Sequence, residues 1–301
     1  MKTKTIRRLT VLTAFAAAAM QLACAAPAPA EAQPPQANDT PAEAAQTITA
    51  DPAEAAQLDE PAPEPQKEEE TMEQGKTTVT FPSADGLTVT ADLYWTGDAD
   101  APFILLFHQA RYSRGEYLEI ASKLNALGYN CLAVDQRSGN AVNGVANETA
   151  RAAKENNLPA AYEDAYPDLE AALQYVTDEF VPKQLIAWGS SYSSSLTLIL
   201  AAEHPQQIQA ALAFSPGEYF RYQNQTIADY AADITQPVFI TSAKKEESEW
   251  RPIAEKITSN GCVFFVPEGS GVHGSSTLFE STPNNAEYWA AVEGFLASLA
   301  P

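Results

Sequence analysis

The chain has 301 residues with 39 acidic and 18 basic side chains, a formal net charge of −21. A surface this acidic repels a phosphate backbone and argues against nucleic acid as a partner. His108, His204 and His273 stand far apart, and no HExxH, CxxC, GxGxxG or Walker pattern occurs, so neither a metal nor another cofactor is expected.

Residues 1–24 carry Lys2, Lys4, Arg7 and Arg8, then an apolar run from Leu9 to Met20. That run is shorter than the ~20 residues a spanning helix needs, and with its basic flank it reads as an export signal. Cys24 in QLAC follows directly, which resembles a bacterial lipobox. The resemblance implies a lipidated thiol and a membrane-tethered protein of the cell envelope; cleavage within ACAAPAPA, giving a secreted protein, is the alternative.

Residues 25–75 are Ala, Pro, Glu and Gln with no aromatic residue and a net charge of −11. Such text buries too little apolar surface to offset chain entropy and is expected to be a disordered, extended tether. A folded body is expected over residues 76–301, with a net charge of −14. Its two cysteines, Cys131 and Cys262, each open an apolar run, which favours two buried thiols over a disulfide.

The body opens with Thr78–Phe81 and Leu87–Trp95, alternating runs around the turn text SADG, a hairpin. Six short apolar runs follow: FILLF (103–107), CLAV (131–134), LIAW (185–188), ALAF (211–214), VFI (238–240) and VFFV (263–266). They do not alternate, as strands buried on both faces do not, and helix-patterned segments at 117–127, 165–177, 196–203 and 286–299 lie among them. The expectation is one α/β domain with a mostly parallel eight-stranded sheet and helices on both faces.

Ligands of such sheets sit beyond the carboxyl ends of the strands. WGSSYSSSL (188–196) places five serines between Ser190 and Ser195 at one such end. A nucleophile between strand and helix needs small residues two positions to either side. Gly189 and Ser193 meet that need around Ser191, with serine in place of the usual second glycine; centring on Ser193 instead would move the nucleophile into the helix. Ser191 is therefore the candidate nucleophile. The other four serines are expected to pack or to start the helix.

Five stretches in order, FHQARYSRGEY, VDQRSGN, WGSSYSSSL, EHPQQIQAALAFSP and GSGVHGSS, make residues 77–299 resemble the α/β-hydrolase superfamily, in particular the dienelactone-hydrolase-like serine esterases. Dienelactone hydrolase itself uses cysteine where this chain has Ser191, so its substrate does not carry over.

With the chemistry of the residues, the resemblance implies the remaining roles. His273, in a glycine-rich loop after the last strand, would be the general base. The amides of Tyr192 and Ala110 would form the oxyanion hole. His108 is expected to anchor its loop and His204 to end a helix. The triad acid falls about nine residues after Pro237, at Glu246 in SAKKEESEW, with Glu247 and Glu249 as rivals; a solvated acidic loop is the plain alternative. Gln109, Arg111 and Arg114 beside the oxyanion strand are candidates to bind substrate, although paired arginines are commonly just surface. The polar segment 138–162 either covers the site or is a surface excursion.

The functional expectation is an exported serine hydrolase that cleaves small or surface-presented carboxylic esters through an acyl-enzyme. A peptidase or amidase on the same fold, and a catalytically silent surface-binding module, are the other readings.

Overall fold

A computed structural model describes residues 73–299. The expected signal, Cys24 and nearly all of the expected tether lie outside the described residues. Among the described residues, no helix is long and apolar enough to cross a membrane.

Strands β1 (Gly75–Pro82) and β2 (Thr88–Trp95) pair antiparallel around the expected turn, where the Ser83 amide donates to the Leu87 carbonyl at 2.7 Å. β3 (Phe103–Phe107), β4 (Asn130–Val134), β7 (Leu185–Ser190), β8 (Ala210–Phe214), β9 (Val238–Thr241) and β10 (Val263–Phe265) complete an eight-stranded sheet in the order β1-β2-β4-β3-β7-β8-β9-β10. β2 meets β4 antiparallel, and every later pairing is parallel. β3, β4, β7, β8 and β9 are buried along their whole length, the burial that their unbroken apolar runs require.

Helices cover both faces. On one side α1 (Leu118–Ala126) and α7 (Asn285–Ser298) bring Ile120, Leu124, Val292 and Phe295 against Ile104, Trp188 and Phe239. On the other, α3 (Tyr166–Glu179), α4 (Tyr192–Glu203), α5 (Ile227–Ala231) and α6 (Glu247–Ala254) place Leu169, Ile199, Ile227 and Trp250 in a second apolar layer. Cys131 is buried, Cys262 is partly buried, and both are free thiols.

The helices differ from expectation in two ways. α4 starts at Tyr192 rather than Leu196, so Ser193, Ser194 and Ser195 lie inside a buried helix. The acidic run after β9 is not a loop: Lys244–Glu246 forms a 3-10 turn that leads into α6. Pro252 inside α6 and the density of charge concealed the helix. Segment 138–162 contains a two-residue ladder, β5 (Ala141–Val142) with β6 (Val145–Ala146), and helix α2 (Glu148–Glu155). Tyr162, at its end, stacks on Tyr192 with centroids 4.6 Å apart, so the segment's end borders the serine cluster.

Candidate active site

The serine-rich turn is tight enough to force its own sequence. Ser191, between β7 and α4, takes φ 58° and ψ −127°, a strained conformation for a residue with a side chain. A Cβ on Gly189 would sit 2.4 Å from the Ser193 carbonyl oxygen and 2.5 Å from the Ser194 Cα, so only glycine fits there. At the opposite flank serine is accommodated because its hydroxyl is used. Ser193 Oγ donates to the His108 carbonyl at 2.6 Å and accepts from Gln136 Nε2.

The other serines are engaged as well. Ser190 Oγ donates to Glu116 Oε1 at 2.8 Å, Ser194 Oγ to the Ser191 carbonyl, and Ser195 Oγ to the Gly217 carbonyl at 2.8 Å. Ser191 Oγ alone of the five meets an imidazole, 2.7 Å from His273 Nε2.

His273 follows β10 in the loop that returns over the elbow, and its Nδ1 lies 3.0 Å from Glu246 Oε2. Ser191 is only 7% exposed, whereas the His273 side chain is 39% exposed, so the trio opens to solvent on the imidazole's side. Burial disfavours charge on Glu246, but bonds from His273 and Ser215 outweigh it and hold the carboxyl below its usual range. Glu246 is therefore ionised at neutral pH. Its rivals turn elsewhere: Glu247 pairs with Arg251 one helical turn on, and Glu249 is exposed on α6.

Ser215, at the end of β8 with φ 56°, is a residue that the sequence reading gave no role. Its hydroxyl donates to Glu246 Oε2 at 2.8 Å and accepts the Gly274 amide at 2.9 Å, fixing carboxylate and histidine loop to one strand end. A small hydroxyl residue ending an apolar strand beside the serine strand was its only signal. Gly274 takes φ 68°, and a Cβ there would meet Ser190 Oγ at 2.5 Å.

Tyr192 follows Ser191 directly in the chain, and Ala110 follows the end of β3, the strand that pairs with β7. Tyr192 is the first residue of α4, where backbone N–H groups lack intrahelical partners, and among the described residues neither amide has a protein acceptor. Two unpartnered donors at neighbouring strand ends are candidates to receive a developing oxyanion.

Two of the three candidate substrate-binding residues need correction. Arg114 is held by Asp92 at 3.0 Å and Asp135 at 2.6 Å, its side chain only 12% exposed, and is a structural ion pair. Gln109 points inward, donating through Nε2 to Glu116 Oε1 at 3.2 Å and Ser276 Oγ at 3.0 Å. Arg111 is exposed, with φ 66°. Tyr219, which the sequence reading also passed over, donates to the Ser215 carbonyl at 2.8 Å with much of its ring exposed.

His108 is the anchor expected. It is wholly buried, its Nδ1 lies 2.8 Å from the Gln109 carbonyl, and its Nε2 accepts from the Gln136 amide and faces Asn147 Nδ2, each at 3.0 Å. Burial pulls its pKa down to about 4, so it is neutral at physiological pH. His204 caps the end of α4, with Nδ1 3.1 Å from Gln207 Oε1.

No curated protein matches the sequence. Among solved structures, the Pyrococcus furiosus esterase Pf2001 is 17% identical, with a TM-score of 0.59 over 75% of this chain and 94% of that one. A dienelactone hydrolase from Anabaena variabilis is 13% identical with a TM-score of 0.58, over 74% and 97% of the two chains. Est1E from Butyrivibrio proteoclasticus, solved with ferulic acid bound, is 14% identical with a TM-score of 0.57, over 73% and 99%. At these identities the likeness shows a shared fold. The model of the dienelactone hydrolase family matches residues 90–268, more than half of the sequence, and the chain belongs to that family of esterase-like hydrolases.

Proposed function

We propose that the protein cleaves carboxylic esters through an acyl-enzyme, with Ser191 as nucleophile, His273 as general base and acid, and Glu246 as the carboxylate that orients the imidazole. The observation that carries this reading is the unbroken hydrogen-bond sequence from Ser191 Oγ through His273 to Glu246 Oε2. His273 Nε2 takes the hydroxyl proton as Oγ bonds to the ester carbonyl carbon, and the amides of Ala110 and Tyr192 receive the oxyanion. The same proton passes to the leaving alkoxide, and the C–O bond breaks to leave an acyl-serine. Water then gives a proton to His273, attacks the acyl carbon, and releases the acid as Ser191 recovers its proton.

The body is exported and held at the membrane by a lipid on Cys24, which puts it within reach of small or surface-presented esters. Tyr162, stacked on Tyr192, and Tyr219, bonded to the Ser215 carbonyl, would meet the substrate first. The support for this part is the arrangement of the first 24 residues and the acidic stretch after them.

Initial rates on short 4-nitrophenyl esters test the chemistry. Turnover by the wild type and none by Ser191→Ala is expected; turnover surviving in Ser191→Ala would contradict the assignment. Labelled palmitate tests the anchor. Incorporation that disappears in Cys24→Ala, with release from the membrane fraction, is expected, and an unlabelled wild type recovered in the medium would contradict it.

A further inference from the structure

Glu116 has no part in the chemistry above, yet it lies at the junction of three of the segments that take part. It sits in the 3-10 turn Arg114–Tyr117 and is wholly buried. Its Oε2 accepts the Gln109 amide at 2.8 Å, and its Oε1 accepts Gln109 Nε2 at 3.2 Å and Ser190 Oγ at 2.8 Å. Ser190 Oγ in turn accepts the Ser275 amide at 2.8 Å, and Gln109 Nε2 also donates to Ser276 Oγ at 3.0 Å. One carboxylate thus ties together the residue before Ala110, the residue before Ser191 and the two residues that follow His273-Gly274.

We propose that Glu116, in its ionised form, is the positioning residue of this site, holding the oxyanion loop, the serine elbow and the histidine loop in a single register. The inference rests on the ester-hydrolase reading given above. Three donors converge on the carboxylate, and no lysine or arginine pairs with it among the described residues. A carboxylate accepts all three. A protonated carboxyl brings a proton of its own, whose nearest acceptor is Ser190 Oγ, and the Ser190 proton then loses its partner. An amide at this position also fails, because its NH2 would face the donors of Gln109 or Ser190.

The titratable groups facing Glu116 are His273 across the site and the buried hydroxyls of Tyr117 and Tyr192. The tyrosines stay neutral, since burial raises both far above their ordinary range. Burial likewise pushes Glu116 up to about 7, although bonds from Gln109 and Ser190 pull the other way. The charge is therefore lost under mildly acidic conditions, and with it the register of the three loops.

The test is the pH dependence of kcat/KM on 4-nitrophenyl acetate for the full chain and for Glu116→Gln. A misplacement of ~1 Å costs about a hundredfold, so Glu116→Gln is expected to lower kcat about a hundredfold at pH 8 with KM little changed. The wild type is expected to lose activity toward acid more steeply than one proton allows, since loss of the Glu116 charge adds to the one-proton acid limb of general-base catalysis, while Glu116→Gln falls with a one-proton slope. The same one-proton limb in both proteins would overturn the proposal. If Glu116→Gln does not fold, the wild-type limb decides alone, a one-proton slope again overturning it. A wild type without any ester turnover would instead remove the reading on which this inference rests.

Discussion

The strand ends on the two sides of Ser191 are both crowded with polar side chains, but only one side brings a chain of side-chain hydrogen bonds to the Ser191 hydroxyl. Beyond β3 and β4, Arg114 joins Asp92 and Asp135, and Arg137 joins Asp168 at 2.7 Å and Asp85 at 2.6 Å. His108 uses both ring nitrogens within the protein. Beyond β7, β9 and β10, the chain of bonds from Glu246 through His273 ends on the Ser191 hydroxyl, the nucleophile we propose. A satisfied polar network fixes backbone, and a network with a free end does chemistry.

The sharpest way to break that comparison is to interchange the serines. Ser191→Ala is expected to abolish ester turnover, whereas Ser190→Ala, Ser193→Ala, Ser194→Ala and Ser195→Ala lower it but leave it measurable, because their hydroxyls hold neighbouring segments in place and do not meet the imidazole. Steady-state rates of the five variants check this.

Next in size is Glu246→Gln. Removing the carboxylate that fixes the histidine tautomer lowers kcat by ~10⁴ in a serine protease, and a fall of up to that order is expected here with the fold intact by circular dichroism. Glu247→Gln and Glu249→Gln should stay near wild type, since one pairs with Arg251 and the other is exposed.

The closed side answers to stability instead. Arg137→Met leaves Asp168 buried without its partner, and a loss of about 3–5 kcal/mol in urea unfolding is expected.

The smallest effect is read through pH. The fold depresses His108 from 6.5 to about 4, so between those values the unfolded chain holds an extra proton and folding weakens as pH falls. It raises Glu116 from 4.5 to about 7, so the folded chain holds an extra proton and folding strengthens as pH falls. Between about pH 4.5 and 6.5 the two oppose each other. Glu116→Gln should therefore make stability fall toward acid more steeply than in the wild type, by about 1.4 kcal/mol per pH unit, and His108→Gln should shift the slope equally in the opposite direction. Urea midpoints across that range measure both.

Much of this was legible because burial and backbone geometry leave marks on sequence. Strands buried on both faces must be apolar throughout, which made the sheet readable from FILLF to VFFV, and a turn that admits no Cβ at Gly189 pointed to Ser191. Glu246 could be placed because the family resemblance puts the triad acid about nine residues after Pro237. What escaped depends on contacts between distant segments. Ser215 and Glu116 look like ordinary surface residues in text, and their roles exist only once β8, the Arg114–Tyr117 turn and the histidine loop converge. Arg114 misled for the same reason, its partners Asp92 and Asp135 lying 22 and 21 residues away.

The most direct test of the account is a fluorophosphonate probe followed by peptide mapping. The probe reacts with a serine only where a base activates it and an oxyanion hole receives the phosphoryl oxygen, so one adduct is expected, on Ser191, and it should be absent from the Ser191→Ala and His273→Ala proteins. An adduct on any other serine, or a folded wild-type protein that takes no label, would contradict it.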